Sequence, residues 1–127
     1  MSNVNAQRLF TASCFALVTT AFAFAIRAGI LGELALKFGL TDTQLGYINQ
    51  MAILGFPIAT MVGGWLYNAF GAKRMMYLAL STHLLGILMT IFAGDFWTLL
   101  LSNFFIGFGN GTVEAACNPM ISNMFKN

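Results

Sequence analysis

Four long apolar stretches, separated by short polar linkers, account for most of the chain. Each is long enough for the about 20 residues that a helix needs to cross the hydrocarbon core of a bilayer. The linkers are too short to fold on their own. We therefore predict an all-α, polytopic membrane protein with four transmembrane helices, which run from Leu9 to Leu31, from Leu45 to Tyr67, from Met75 to Ala93 and from Trp97 to Phe125.

The linkers contain residues that begin and end helices. Thr41 and Gln44 have the spacing of a capping box that opens the second helix. Gly71 lies in a basic turn between the second and third helices. The first stretch also has the composition of a secretory signal, a basic residue followed by an apolar run and small residues. It is long for a signal core and three more stretches follow, so we interpret it as a helix.

The composition excludes several classes of protein. Only 8% of the 127 residues are charged, whereas 58% are hydrophobic. A soluble domain is about 25% charged, and a water-facing surface cannot be built from so few charges. A soluble domain, a disordered chain and a nucleic-acid binder are therefore excluded. The two cysteines, Cys14 and Cys117, are too few for a disulfide scaffold.

The charged residues outside the apolar stretches predict the orientation of the chain, because basic residues are enriched at the cytoplasmic ends of transmembrane helices. One side of the predicted bundle has four basic residues and no acid, and we assign it to the cytoplasm together with the N-terminus. This side has Arg8, Lys73, Arg74 and Lys126, and the opposite side has Glu33, Lys37, Asp42 and Asp95.

Glu114 is one of two charged residues inside a predicted helix, where a charge costs between about 2.5 and 17 kcal/mol. On an ideal helix it shares a narrow stripe with Asn103, Gly107, Asn110 and Asn118. Such a stripe faces a bundle interior or a watery cavity. We expect Glu114 to bind substrate or carry a proton, because burial disfavours a charged carboxylate. The three asparagines would hydrogen-bond solute or water. The alternative is a structural polar contact.

Arg27 is the second such charge, and it continues a stripe with Ser13 and Thr20 at seven-residue spacing. Facing a cavity, it would bind an anionic group of a substrate or pair with a carboxylate such as Glu114. Near the outer end of its helix, it would also be able to reach the membrane surface. His83, in the third helix, is either a proton relay or a packed, hydrogen-bonded side chain. We favour the second interpretation of His83, because few polar residues flank it.

The residue combinations of soluble active sites are not visible in the sequence. It shows no paired carboxylates, no His/Cys cluster with metal-ligand spacing, no nucleotide-binding glycine loop and no Ser/His/Asp set. We therefore expect no enzymatic activity, no metal and no cofactor.

The run from Gly64 to Arg74 resembles the loop between helices 2 and 3 of the major facilitator superfamily of transporters. Gly64, Leu66, Gly71, Lys73 and Arg74 match that loop. Asn68 replaces its usual aspartate, and Ala69 and Ala72 replace usual basic residues. The resemblance implies a gating loop that consists of Gly64, Asn68, Gly71, Lys73 and Arg74.

The run from Gly111 to Pro119 is similar to the fourth helix of the fucose and glucose/galactose proton symporter branch of that family. In that branch the helix 4 glutamate faces the sugar cavity, so the resemblance implies a substrate-binding role for Glu114. The branch also has an aspartate in helix 1, where this chain has Ala28. Because that carboxylate is absent, an anionic substrate or a different coupling ion is an alternative to a proton-coupled sugar.

The resemblance covers the first third of a twelve-helix fold, which has two halves built from inverted repeats of three helices. Residues 1–127 would be the N-terminal part of a transporter domain. Helices 1 and 4 are repeat equivalents, and they contain Arg27 and Glu114. This agreement favours a single cavity that both residues face.

We therefore predict the N-terminal part of a secondary active transporter in the inner membrane of a bacterium. It would move a small polar solute, coupled to an ion gradient such as protons. The solute would be a sugar or a related organic compound, and in one alternative it would be anionic. Its partners would be the lipid bilayer, the solute, the coupling ion and the remaining helices of the full-length transporter. Two other interpretations stay open: a four-span exporter that acts as a dimer, and a non-transporting tetraspan protein that assembles through Gly107, Gly111 and Ala115.

Overall fold

The computed structural model describes residues 6–125, which form three helical runs: α1 (Ala6–Phe38), α2 (Asp42–Ile91) and α3 (Phe96–Met124). The described part of the chain is all-helical, as predicted. The count of four helices stays a prediction: the second and third predicted helices are joined in the single run α2, with the non-helical Gly71 between them. Lys126, which the sequence analysis assigned to the cytoplasmic side, lies outside the described residues.

Gly71 interrupts α2 at the place where a turn was predicted. Its φ of 77° and ψ of 163° are not helical, and glycine adopts positive φ without a steric penalty. At 1.5 Å per residue, an unbroken helix of 50 residues would be about 75 Å long, far more than a bilayer is thick. We refer to residues 42–70 as the first arm of α2 and to residues 72–91 as its second arm.

The short connection between α1 and α2 is closed by hydrogen bonds at both helix ends. At the end of α1, Gly39 has a φ of 59°, and the amide of Leu40 donates to the Ala35 carbonyl at 2.9 Å, as in a Schellman motif. The capping box at the start of α2 is confirmed. The Thr41 hydroxyl accepts from the Gln44 amide at 3.2 Å, and the Gln44 side chain accepts from the Thr41 amide at 3.0 Å.

The first arm of α2 runs parallel to α3. Gly107 of α3 lies directly against the backbone carbonyl of Ala52, and Gly63 lies against the side chain of Ala115. Residue numbers therefore rise together along the two helices. A face of small residues on α3 was predicted to allow close helix contact, and Gly107 and Ala115 belong to that face.

The second arm runs antiparallel to α3. Gly86 lies against Ile106, and Ala79 packs with Val113, farther along α3. Because one arm is parallel to α3 and the other antiparallel, α2 turns back on itself at Gly71. This reversal places α3 between the two arms.

α1 packs on α3 in the antiparallel direction and exposes much of its outer face. Near its start, the ring of Phe10 meets the ring of Phe125 with centroids 5.7 Å apart. Ser13 and Thr20 are buried, whereas Phe15 and Phe22 are 71% and 63% exposed. The predicted polar stripe of α1 thus faces the protein, and large apolar side chains cover its outside. By length and composition, α1 and α2 are apolar enough to cross a membrane.

Candidate functional site

A cavity of about 130 Å³ lies between α1, the second arm of α2 and α3. Most of its wall consists of aliphatic side chains. Its polar lining residues come from all three of these elements and are Arg27, His83, Thr90 and Asn103. This enclosure of a few polar groups by apolar walls is typical of small-molecule sites.

Arg27 reaches the cavity from α1 and is half-buried. Its Nη1 donates to Asn49 Oδ1 of the first arm at 2.8 Å. The guanidinium carbon lies 5.6 Å from the centroid of the Phe24 ring, within the range of a cation–π interaction. Its Nε is buried and has no hydrogen-bond partner among the described residues. One alternative for Arg27, pairing with Glu114, is not found in residues 6–125. The guanidinium instead donates to the amide oxygen of Asn49.

Asn103 faces the same cavity from α3 and is 2% exposed. Its Nδ2 donates to the Leu99 carbonyl at 2.9 Å. Its Oδ1 is buried without a donor in residues 6–125. A buried polar atom left in this way costs about 1–3 kcal/mol, so the site is arranged to receive a hydrogen-bond donor.

His83, on the second arm, is hydrogen-bonded at both ring nitrogens, in agreement with the favoured interpretation of this residue. Nδ1 lies 2.9 Å from the Ala79 carbonyl, and Nε2 lies 2.5 Å from Asn110 Oδ1 on α3. Asn110 is 0% exposed, and its Nδ2 is buried with no partner among the described residues. His83 therefore joins the cavity to the polar stripe of α3.

The predicted stripe of α3 divides between three environments. Asn103 and Asn110 are buried, Glu114 is half-buried and Asn118 is exposed. Glu114 and Asn118 do not line the cavity with Arg27. Within residues 6–125, the side chain of Glu114 makes no hydrogen bond or ion pair. The structure thus brings Arg27 together with Asn103, and the roles of Glu114 and Asn118 stay predictions.

The predicted gating loop surrounds the turn of α2. Gly64 is helical and nothing lies near the position of a Cβ there, whereas Asn68, Lys73 and Arg74 are exposed. The neighbouring Gly63, which the sequence analysis did not single out, makes the close contact with α3. The gating role of these residues stays a prediction.

Two lining residues were missed by sequence analysis or underrated in it. Thr90 was not considered, and His83 was judged a packing residue, although the two lie seven positions apart and share a helix face. The same seven-residue spacing pointed to Arg27 in α1. As for a metal, no three His, Cys, Asp or Glu side chains of residues 6–125 lie in a group that would hold one.

The arrangement presents complementary groups to a polar solute. The guanidinium of Arg27 offers positive charge and a free N–H, and Asn103 offers a free carbonyl oxygen. A hydroxyl group can accept from such an N–H or donate to such a carbonyl oxygen. The cavity has room for a few water molecules, and it is smaller than the about 300 Å³ of the smallest usual ligand pockets. This size and these groups suit a small, hydroxylated or negatively charged solute.

Comparison with known proteins agrees with the predicted class, a membrane transporter. The family model of the Major Facilitator Superfamily matches residues 11–127. The chain therefore belongs to the major facilitator superfamily, whose members are multi-pass membrane transporters. No solved structure gives a significant match.

Three relatives from this comparison differ in the solute that their names give. The probable inositol transporter 3 of Arabidopsis thaliana is 29% identical over 76% of this chain and 17% of its own length. The hexuronate transporter of Bacillus subtilis is 30% identical over 68% of this chain and 20% of its own. The 3-(3-hydroxy-phenyl)propionate transporter of Escherichia coli is 35% identical over 66% of this chain and 21% of its own. The chain thus spans about a fifth of the length of these relatives.

Proposed function

We propose that the full-length protein is a secondary active transporter for a small organic solute that has hydroxyl groups and a negative charge, coupled to an ion gradient such as protons. The observation that carries this proposal is the pair of unpartnered buried groups, Arg27 Nε and Asn103 Oδ1, on residues that line one cavity. Native proteins seldom leave such groups unsatisfied. A solute that fills the cavity would complete both.

The relatives support this choice of solute by the chemistry in their names. A hexuronate is a hydroxylated carboxylate, a hydroxyphenylpropionate is a carboxylate, and inositol is an uncharged polyol. A site with a guanidinium and an amide suits the hydroxylated carboxylate best, because arginine binds carboxylates in a planar, bidentate geometry. The similarity of α3 to the fucose and glucose/galactose symporter branch also favours a sugar-sized solute.

Other residues have proposed roles around this cavity. Glu114 would bind solute or carry a proton, and Asn110 and Asn118 would hydrogen-bond solute or water. The residues Gly64, Asn68, Gly71, Lys73 and Arg74 would act as a latch while the transporter changes conformation. Because the cavity is small, the remaining helices of the full-length transporter would supply the rest of the binding surface. We place the protein in the inner membrane of a bacterium, with its N-terminus in the cytoplasm.

Uptake by the full-length protein in lipid vesicles tests the proposal, with labelled D-glucuronate as the anionic probe and labelled myo-inositol as the neutral probe. For Arg27→Gln we expect uptake of D-glucuronate to fall at least about tenfold, since losing a charged hydrogen bond costs about 1.5–3 kcal/mol. Lys37→Gln removes an exposed charge from the end of the same helix and is the matched control. In the same assay, Glu114→Gln should weaken uptake or its proton dependence.

The results separate the parts of the proposal. Wild-type protein that takes up neither probe would overturn the proposed solute class. D-Glucuronate uptake that Arg27→Gln leaves at the wild-type rate would remove Arg27 from the site. Unchanged uptake and proton coupling in Glu114→Gln would remove Glu114.

A further inference from the structure

The two ring nitrogens of His83 both face carbonyl oxygens, which can only accept hydrogen bonds. Nδ1 faces the Ala79 carbonyl and Nε2 faces Asn110 Oδ1. A neutral imidazole has a single N–H, so it can satisfy one of these contacts only. Both contacts are hydrogen bonds at the same time only when both nitrogens bear protons, as they do in the imidazolium form.

The side-chain amide of Asn110 can also form a hydrogen bond with the neutral ring, by turning its nitrogen toward His83. Its Nδ2 is buried without a partner while its Oδ1 faces His83. If the amide turns over, Nδ2 donates to an unprotonated Nε2, and Nδ1 keeps its proton on the Ala79 carbonyl. The two orientations of an amide are chosen by its hydrogen-bond network. The pair therefore has two arrangements, one for each protonation state of His83.

The surroundings hold the imidazole in place and give it one charged neighbour. A Cβ at Gly109 would lie 2.6 Å from Nδ1 and 2.9 Å from the Thr82 hydroxyl, so this glycine leaves room for the ring. His83 lines two cavities, and among the described residues Arg27 from α1 is the one other ionisable group that lines either of them. Glu114, one helical turn beyond Asn110 on α3, lines neither.

We propose that His83, rather than Glu114, is the proton-binding residue of this site and that it takes up a proton together with an anionic solute held at Arg27. This inference rests on the proposed function and specifies its coupling ion and solute charge. A protonated His83 and Arg27 place two positive charges around one cavity, which repel each other. A carboxylate in the cavity offsets that repulsion and so favours the protonated ring. By linkage, protonation of His83 must then strengthen anion binding by the same factor.

The test uses the full-length protein in vesicles and compares proton-driven uptake with solute exchange at equal pH on both sides, which needs no net proton movement. External pH is set to about 5 in one measurement and about 8 in the other, the range over which histidine is the side chain that changes charge. For wild-type protein we expect D-glucuronate uptake to rise about fivefold or more at the lower pH. For His83→Gln we expect that ratio to fall to about one while exchange continues, because linkage to the proton is lost.

Ser81→Ala, two residues away on the exposed side of the same arm, is the control that should keep the wild-type pH profile. A pH-dependent rise in His83→Gln equal to that of wild type would overturn the assignment of His83 alone. Uptake of neither D-glucuronate nor myo-inositol by wild-type protein would instead overturn the proposed function, and this inference with it. Proton-driven uptake of myo-inositol but not of D-glucuronate would contradict the anion coupling.

Where His83→Gln loses exchange as well, Asn110→Ala provides the decisive second variant, because it leaves the imidazole in place and removes its α3 partner. Altered pH dependence of the uptake that remains would support the proposal, because loss of a solute contact alone would lower uptake equally at both pH values. An unchanged pH profile, or complete loss of uptake and exchange, would overturn it.

Discussion

α3 packs against the two arms of α2 in different ways. Against the first arm it forms what we term the glycine interface, whose close contacts are made at Gly55, Gly63, Gly107 and Gly111. Against the second arm it forms what we term the polar interface, whose hydrogen-bonded pairs are His83 with Asn110 and Thr90 with Ser102. Backbones come close at both interfaces, at Gly86 in the second, but among residues 6–125 the hydrogen bonds between side chains of α2 and α3 belong to the second.

The difference follows from the forces available inside a membrane. Lipid tails are as apolar as leucine, so helices gain little by burying apolar side chains against each other, and close packing of small residues drives their association. A Cβ at Gly55 would lie 2.5 Å from the Phe104 carbonyl oxygen, so the helices approach within backbone contact. The polar interface is incomplete by contrast, since Asn110 Nδ2 has no partner in the described part of the chain. We infer that the first interface stabilises the fold and the second serves the site.

The largest effect is expected from crowding the glycine interface. In Gly107→Ala, the new Cβ would lie against the backbone carbonyl of Ala52, which cannot move without shifting the whole arm. Overpacking of this kind costs about 1–3 kcal/mol or more. The thermal unfolding midpoint of the full-length protein in detergent should therefore fall by several degrees.

Gly64→Ala is the matched control, because nothing lies within 4 Å of its Cβ position. It should leave the midpoint unchanged or raise it slightly, since alanine favours helix more than glycine does. Equal losses in the two variants would mean that α3 and the first arm are not in close contact.

A smaller and opposite effect on stability is expected next to the polar interface. Asn103→Leu keeps the number and branching of the side-chain heavy atoms and removes the buried Oδ1 that has no donor within residues 6–125. Relief of that desolvation should raise the stability of the full-length protein by about 1 kcal/mol. Uptake of D-glucuronate should be lost, because the site loses its free acceptor.

Unfolding and uptake measured on the same preparation decide this point. Asn103→Leu protein with reduced stability and intact uptake would show that Asn103 is a structural residue. The division of labour between the two interfaces would then be wrong.

Much of the fold was predictable, because each helix and turn depends on neighbours in sequence. The apolar stretches were found from their length, and the Thr41–Gln44 capping box and the Gly71 turn were found from local chemistry. The sequence did not reveal that Gly63 rather than Gly64 meets α3. Such a contact depends on how far each helix is rotated about its axis, which apolar periodicity defines only loosely when lipid covers the other faces.

The candidate site was predictable in part, where a residue's own chemistry or its spacing along one helix was enough to identify it. The cost of a buried charge pointed to Arg27, and the helical stripe pointed to Asn103, without any knowledge of their partners. His83 gave a weak signal, since its significance comes from Asn110 on another helix. Pairs between helices are set by tertiary packing, so spacing along one helix cannot reveal them.

The smallest effect is expected at the turn that connects the second arm of α2 to α3, which lies outside both interfaces. Asp95 caps α3 by accepting a hydrogen bond from the Thr98 amide at 2.8 Å. That bond lowers the pKa of the Asp95 carboxyl below its ordinary value of about 3.9. Its stabilisation is therefore complete above about pH 4 and is lost as pH falls through the folded-state pKa.

Asp95→Asn keeps a good capping residue that does not titrate. We expect its unfolding midpoint to match that of wild-type protein at neutral pH and to fall less steeply on acidification below about pH 4. Thermal unfolding of the full-length protein in detergent across this range measures the difference. Because Asp95 is fully exposed, the effect should be smaller than that of Gly107→Ala. Identical pH dependence in the two proteins would show that the charge of Asp95 contributes nothing to the stability of the cap.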